Sequence, residues 1–340
     1  MKTLYHSIQT ILYHLYSIWN ERKLPQIKGR NLLTLAEFSR EEIIKILDLA
    51  DIFKKQRKNN IFKKFLSNKT LGMIFQKPST RTRLSFDVAM NDLGGNSISL
   101  NSNEIQLSRG ETIKDTAKSF SRYVDVIMAR VHNHNEVDDL AKYASIPVIN
   151  GLSDIYHPTQ VLADIQTIRE KKNKLEGLKL TWIGDGNNVC NTLLIGCSIM
   201  GINMQVASPT KYKPNINAYE LAKKASKKSR SKIEMIDDPK EAIKDADIVV
   251  TDTFISMGSD SQRTERLKTF LPEYQVNANI MSRAKEDAIF MHCLPSHRGE
   301  EVTDDVMDGA KSVVWDEAEN RLHSQKALLA FLLLDEDSFC

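Results

Sequence analysis

The chain has 340 residues, 41% hydrophobic and 27% charged, with 47 Lys and Arg against 44 Asp and Glu for a formal net charge of +3. So weak a balance argues against nucleic acid as the main partner and directs any search for a phosphate site to a local cluster. No stretch approaches the roughly 18 consecutive apolar residues a membrane span needs, which argues against a membrane partner. At roughly 100–200 residues per domain, the length predicts two domains.

Residues 1–28 read as an N-terminal extension. Leu4, Ile8, Ile11, Leu12, Leu15, Ile18 and Trp19 fall at amphipathic helical spacing. The first arginine is only Arg22, and no unbroken apolar core with a small-residue cleavage site is present, so neither a transit nor a signal peptide is expected. The segment is either a dispensable, loosely docked extension or a targeting or partner contact. Ser39 followed by Glu42 is a capping box and predicts an amphipathic helix through about Arg57. Short apolar runs then recur at 71–75, 126–129, 146–149, 178–183, 204–207, 248–250, 289–291 and 313–315, mostly separated by helix-length segments. That alternation predicts an α/β fold of two domains, each a parallel sheet flanked by helices, with an active site in the cleft between them.

The helix expected from Thr159 to Glu170 and the charged stretch Lys171-Lys172-Asn173-Lys174 place the division at about residue 170, giving domains at 29–170 and 171–318. The last segment reads as one long helix from Glu317 to Leu334, and residues 319–340 are expected to pack back on the first domain. Lys223, Lys224, Lys227, Lys228, Arg230 and Lys232 form a basic cluster that reads as a solvated helix end rather than a nucleic-acid patch. Four cysteines, Cys190, Cys197, Cys293 and Cys340, in a chain that can bury its own core suggest a reducing, cytoplasmic compartment.

The chemistry concentrates at strand ends. Ser79-Thr80-Arg81-Thr82-Arg83 follows a buried strand and opens a helix, combining hydroxyls, guanidiniums and free backbone N–H groups, which is the composition of an anion site. The bland alternative is an N-cap with surface arginines. Arg130 closes the run at 126–129, and His157-Pro158-Thr159-Gln160 follows the run at 146–149. In an open parallel sheet these carboxyl ends share one crevice. The second half supplies Gly184 to Asn188, Thr251-Asp252-Thr253 with Ser256-Met257-Gly258, and His292-Cys293-Leu294-Pro295. Gly184-Asp185-Gly186 is not a dinucleotide fingerprint, because Val189 stands where the third glycine belongs. Asp252 is a candidate anchor for a substrate ammonium, or a helix cap.

Together these motifs resemble the carbamoyltransferase family across roughly residues 30–335, and within it the members that act on ornithine. The resemblance implies transfer of the carbamoyl group of carbamoyl phosphate to the δ-amine of L-ornithine, with no metal and no organic cofactor. It implies that Ser79, Thr80, Arg81 and Thr82 hold the phosphate and that Arg130 bridges phosphate and carbonyl oxygen. His157, of the His157-Pro158-Thr159-Gln160 motif, would donate to that carbonyl. Gln160 and the main chain at Cys293 and Leu294 would orient the carbamoyl nitrogen, with Arg321 on the same side. Asn188, Asp252, Ser256 and Met257 would bind ornithine. Gln106 matches a residue that reaches a neighbouring subunit's phosphate, which implies a homotrimer, or an assembly of trimers, with shared active sites. One departure from the pattern is Gln76, where many relatives have Glu; little effect on the chemistry is expected.

A free ammonium is not nucleophilic, and no buried Lys or Glu base is evident, so Cys293 paired with Asp252, or the departing phosphate, is the candidate proton acceptor; Cys293 as a mere packing residue is the alternative. Residues 254–263 read as a loop that closes on the second substrate. Competing readings are a carbamoyltransferase for putrescine, acetylated ornithine or aspartate, and a non-catalytic binding protein on the same fold.

Overall fold

The computed structural model describes residues 27–255, 260–335 and 338. In chain order the principal elements are α1 (Arg40–Lys58), β1 (Thr70–Phe75), α2 (Thr80–Asp92), β2 (Asn96–Asn101), α3 (Ile113–Tyr123), β3 (Val126–Arg130), α4 (His134–Tyr143), β4 (Val148–Leu152) and α5 (Pro158–Lys172). They continue with β5 (Lys179–Ile183), α6 (Asn188–Met200), β6 (Asn203–Ala207), α7 (Ile216–Ser229), β7 (Ile233–Ile236), β8 (Ile248–Thr251), α8 (Arg263–Phe270), β9 (Ile289–His292) and α9 (Val314–Leu333), besides several single turns. The amphipathic pattern of residues 1–20 lies outside the described residues.

Among the described residues all strands pair in parallel, in two sheets of order β2-β1-β3-β4 and β7-β6-β5-β8-β9. Each order reverses direction once, between β1 and β3 in the first sheet and between β5 and β8 in the second. A crevice opens at such a switch point, because the connections on its two sides leave toward opposite faces. The loops after Phe75, Arg130, Ile183 and Thr251 therefore supply ligand-facing groups.

Local signals account for most boundaries. The Ser39 hydroxyl accepts from the Glu42 N–H and the Glu42 carboxylate accepts from the Ser39 N–H, so the capping box starts α1. Pro158 sits at the first position of α5, where its missing N–H costs nothing. The sequence patterns missed β2 and β7. Both are edge strands; β2 alternates Ser97 and Ser99 with Ile98 and Leu100, and such half-exposed strands carry no continuous apolar run. Conversely, the run at 313–315 is not a strand. Ser312 forms one bridge to Phe290, and α9 then starts with Trp315 65% exposed.

Helix α9 packs on α1, α2 and α5 of the first half and touches β9 of the second. Its 328–333 run is wholly buried, and its polar residues find partners: Asn320 Nδ2 donates to Thr167 Oγ1 at 2.9 Å, and Lys326 Nζ lies 3.0 Å from Asp92. Leu35, Val161, Ile165, Leu193 and Ile195 belong to one continuous apolar core that joins the two sheets across α5 and α6. The basic residues at 223–232 are exposed on and just after α7.

Candidate active site

The strand ends converge on a cleft of about 480 Å³. From the first sheet it is lined by Lys77, Pro78, Ser79, Thr80, Arg81, Thr82, Arg130, Leu152, Asp154, His157 and Gln160. The second contributes Asn187, Asn188, Val189, Asp252, Thr253, Cys293, Leu294 and Pro295, and α9 adds Arg321. Of the residues expected from sequence, Gln106 is not brought there: it begins a 3₁₀ turn at 106–109 and is exposed. Pro158 and Thr159 lie behind the lining, with Thr159 fully buried. Ser256 and Met257 lie outside the described residues, as does the middle of the 254–263 loop; 260–262 form a 3₁₀ turn leading into α8.

The cationic wall is built at the start of α2. Ser79 caps that helix through its Oγ, which accepts from the Thr82 N–H at 3.2 Å. Helix N-termini carry partial positive charge, and Arg81, Arg130 and Arg321 add full charges around it. Arg321 Nη1 donates to Gln160 Oε1 at 2.6 Å and Nη2 donates to Thr82 Oγ1 at 3.0 Å. The Thr82 hydroxyl, accepting from Arg321, keeps its own proton for a ligand. Arg130 is 6% exposed and its Nε has no hydrogen-bond partner. Burial draws the Arg130 guanidinium down to about 10, still a cation at neutral pH, and burial and then Arg130 do the same to Arg321. A buried guanidinium N–H without an acceptor is costly, and an anion can supply one.

Burial, then the charges of Arg321, Arg130 and Arg81, hold the His157 imidazole well below its ordinary range, so the ring is neutral. The Thr159 hydroxyl lies 3.4 Å from Nδ1, which suits a tautomer with its proton on Nε2, and the His157 backbone N–H donates to Thr192 Oγ1 at 2.9 Å. A neutral imidazole with Nε2–H can donate to a carbonyl oxygen without adding charge.

The opposite wall is anionic. Asp252 accepts from Asn187 Nδ2 at 2.7 Å and from Cys293 Sγ at 3.2 Å. Burial and the neighbouring Asp252 push the Cys293 thiol well above its ordinary range, so it stays protonated and donates to the carboxylate. Asn188 Nδ2 donates to the Ser153 carbonyl at 2.6 Å, which ties the start of α6 to the loop after β4. Leu294 adopts the left-handed φ of 59°, at a cost of about 1–2 kcal/mol for a side-chain-bearing residue. The His292 ring holds that turn: Nδ1 accepts from the Leu294 N–H at 2.9 Å, leaving Nε2 to donate to Glu301 at 3.2 Å. His292 is thus a buried brace for Cys293 and Leu294, which face the cleft.

Two further details were not legible from motifs. Gln76 is built into the loop after β3: its Oε1 accepts from the His132 N–H at 2.8 Å and its amide nitrogen donates to Glu136. In the Gly184-Asp185-Gly186 turn, Asp185 pairs with Arg266 at 2.8 Å, and a Cβ on Gly186 would come within 2.3 Å of the Pro214 backbone. That glycine serves chain packing rather than a pyrophosphate.

Residues 30–170 match the carbamoyl-P binding domain of aspartate/ornithine carbamoyltransferase, and residues 176–332 match its Asp/Orn binding domain. The chain belongs to the aspartate/ornithine carbamoyltransferase family. It is 54% identical over 307 residues to ornithine carbamoyltransferase of Pyrococcus horikoshii, covering 90% of this chain and 96% of that one. The anabolic ornithine carbamoyltransferase of Pyrococcus furiosus is 52% identical over 307 residues, covering 90% and 97%. The solved structure of ornithine carbamoyltransferase from Pyrococcus furiosus superimposes with a TM-score of 0.88 over 91% of this chain and 99% of that chain.

Proposed function

We infer that the chain is an ornithine carbamoyltransferase, converting carbamoyl phosphate and L-ornithine to L-citrulline and phosphate. The observation that carries this reading is the polarity of the cleft: Arg81, Arg130, Arg321 and the α2 N-terminus on one wall face Asp252 on the other. A dianionic phosphate fits the first wall and an amino-acid ammonium the second. Ornithine relatives at 52–54% identity over nine-tenths of the chain support ornithine as the acceptor.

In this mechanism the δ-amine lone pair attacks the carbonyl carbon, the bond from that carbon to the bridging oxygen breaks, and phosphate departs with that oxygen and the electron pair while the amine loses one proton. Arg81, Ser79, Thr80 and Thr82 hold the phosphate. Arg130 and neutral His157 donate to the carbonyl oxygen as it gains charge, and removal of one such donor typically costs about 10²- to 10³-fold. Holding both substrates in line supplies much of the rest. Because Cys293 is a neutral donor, it steadies Asp252 against the α-ammonium, and the departing phosphate is the better acceptor for the amine proton. Carbamoyl phosphate binds first, since Ser79, Thr82, Arg130 and Arg321 already stand around the α2 N-terminus.

The anabolic relative supports the direction toward arginine. The exposed Gln106, outside its own chain's cleft, supports trimers in which it serves a neighbour's phosphate site. Free Cys190, Cys197 and Cys293 support a reducing, cytoplasmic location. Among the described residues no helix is long and apolar enough to cross a membrane. Phosphate release from carbamoyl phosphate that depends on ornithine and matches citrulline mole for mole tests the reaction; phosphate release unaffected by ornithine would refute it.

A further inference from the structure

Gln160 commits one amide nitrogen to two acids. Its Nε2 donates to Asp164 Oδ1 at 2.8 Å and to Glu317 Oε1 at 2.9 Å, while its Oε1 accepts from Arg321 Nη1 at 2.6 Å. Asp164 lies one helical turn after Gln160 on α5, and Glu317 one turn before Arg321 on α9, so both helix faces meet there. Asp164 is 2% exposed and Glu317 1%. The second oxygen of Glu317 accepts from the His292 N–H at 2.9 Å, at the root of the Cys293 turn. Accepting from the one Gln160 nitrogen brings an oxygen of Asp164 and an oxygen of Glu317 side by side in the same buried space.

Two buried carboxylates side by side repel strongly, which holds a proton on the pair at neutral pH. Arg321 reaches the pair through Gln160 and balances one negative charge. Asp252, at the end of β8, adds another anion nearby, and the Cys293 thiol is neutral. We propose that Asp164 and Glu317 share a single proton and act as a positioning pair that fixes the amide of Gln160 and the main chain at His292-Cys293. Burial raises both carboxyl groups, Glu317 well above the carboxylate range and Asp164 to about 7, so the pair retains a proton at neutral pH.

The consequence is an orientation. Both N–H bonds of Gln160 are consumed by the pair, so its amide cannot flip, and Oε1 retains one lone pair beyond the one that Arg321 takes. That lone pair faces the cleft as an acceptor for a carbamoyl N–H. This inference rests on the carbamoyltransferase reading for the identity of the ligand, but not for the proton.

The test combines infrared spectroscopy with kinetics on the full chain. With ¹³C-labelled Asp and Glu and no substrate, the protein at pH 8 should show the C=O stretch of a protonated carboxylic acid, absent in Glu317→Gln. Glu317→Ala should lower kcat/KM for carbamoyl phosphate about 10²-fold by loosening Gln160. Glu317→Gln should recover about tenfold of that loss, since an uncharged amide still presents an N–H to Asp164. No acid band, or a folded Gln variant no better than Ala, overturns the proposal; if the Ala variant does not fold, the band alone decides. A missing band with intact ornithine-dependent turnover refutes the pair and leaves the reaction, whereas a band without turnover does the reverse.

Discussion

Arg321 Nη2 lies 3.0 Å from Thr82 Oγ1, a hydrogen bond that spans 239 residues of sequence and ties the last helix to the first turn of α2. The same guanidinium holds Gln160, so one buried side chain ties together two groups that line the cleft. Arg321→Lys keeps the charge and loses the planar fork. We expect kcat/KM for carbamoyl phosphate to fall about 10²-fold, with the fold unchanged by circular dichroism. Wild-type kinetics in Arg321→Lys would show that the link is only structural.

Arg130 has the opposite signature, a buried cation whose Nε has no partner. Arg130→Met should lower kcat/KM for carbamoyl phosphate by about 10³-fold and weaken product inhibition by phosphate. The ligand-free variant should melt at a higher temperature than the wild type, because an unpaired buried charge is removed. A lower melting temperature would mean that Arg130 is paid for within the fold rather than by an anion.

Asp252 and Cys293 separate binding from proton transfer. Asp252→Asn should raise KM for ornithine about 10²-fold, since the anion facing the ammonium is gone. Cys293→Ser keeps a donor to Asp252, so kcat should fall by no more than about tenfold and the alkaline limb of the pH profile should stay in place. A shifted limb would restore Cys293 to the proton path.

Buried His323 gives a pH dependence remote from the cleft. Burial holds its imidazole at about 4, against an ordinary 6.5, despite Glu319 on its own helix, with Lys54 of α1 and Lys326 lowering it further. Between those values the unfolded chain binds a proton that the folded chain does not, so stability falls as pH drops from about 6.5 toward 4. His323→Gln removes that linkage. Its melting temperature relative to wild type should rise steadily from pH 6.5 to 4, and a constant difference would mean that the folded imidazole titrates normally.

The parallel architecture and most of the cleft were legible because buried strands read as apolar runs and their chemistry follows directly at the carboxyl ends. Edge strands β2 and β7 were not, since a half-exposed strand has no such run. Asp164 and Glu317 escaped notice for a different reason. Each sits one turn from a motif residue on a helix whose surface is buried nearly all round, so no amphipathic pattern marks the face that meets the cleft. Helical spacing from Gln160 and Arg321 was the one available signal. His292 was legible as part of a motif, but only the structure shows its imidazole bracing the turn instead of facing substrate.

The identity of the acceptor decides between the competing readings. Purified chain should be offered carbamoyl phosphate with ornithine, putrescine, acetylated ornithine and aspartate in parallel, and the carbamoylated product of each measured. Turnover confined to ornithine is the predicted result. Preferred turnover with any of the other three would contradict the assignment of the Asp252 wall to an amino-acid ammonium while sparing the phosphate wall, and silence with all four would contradict the enzyme itself.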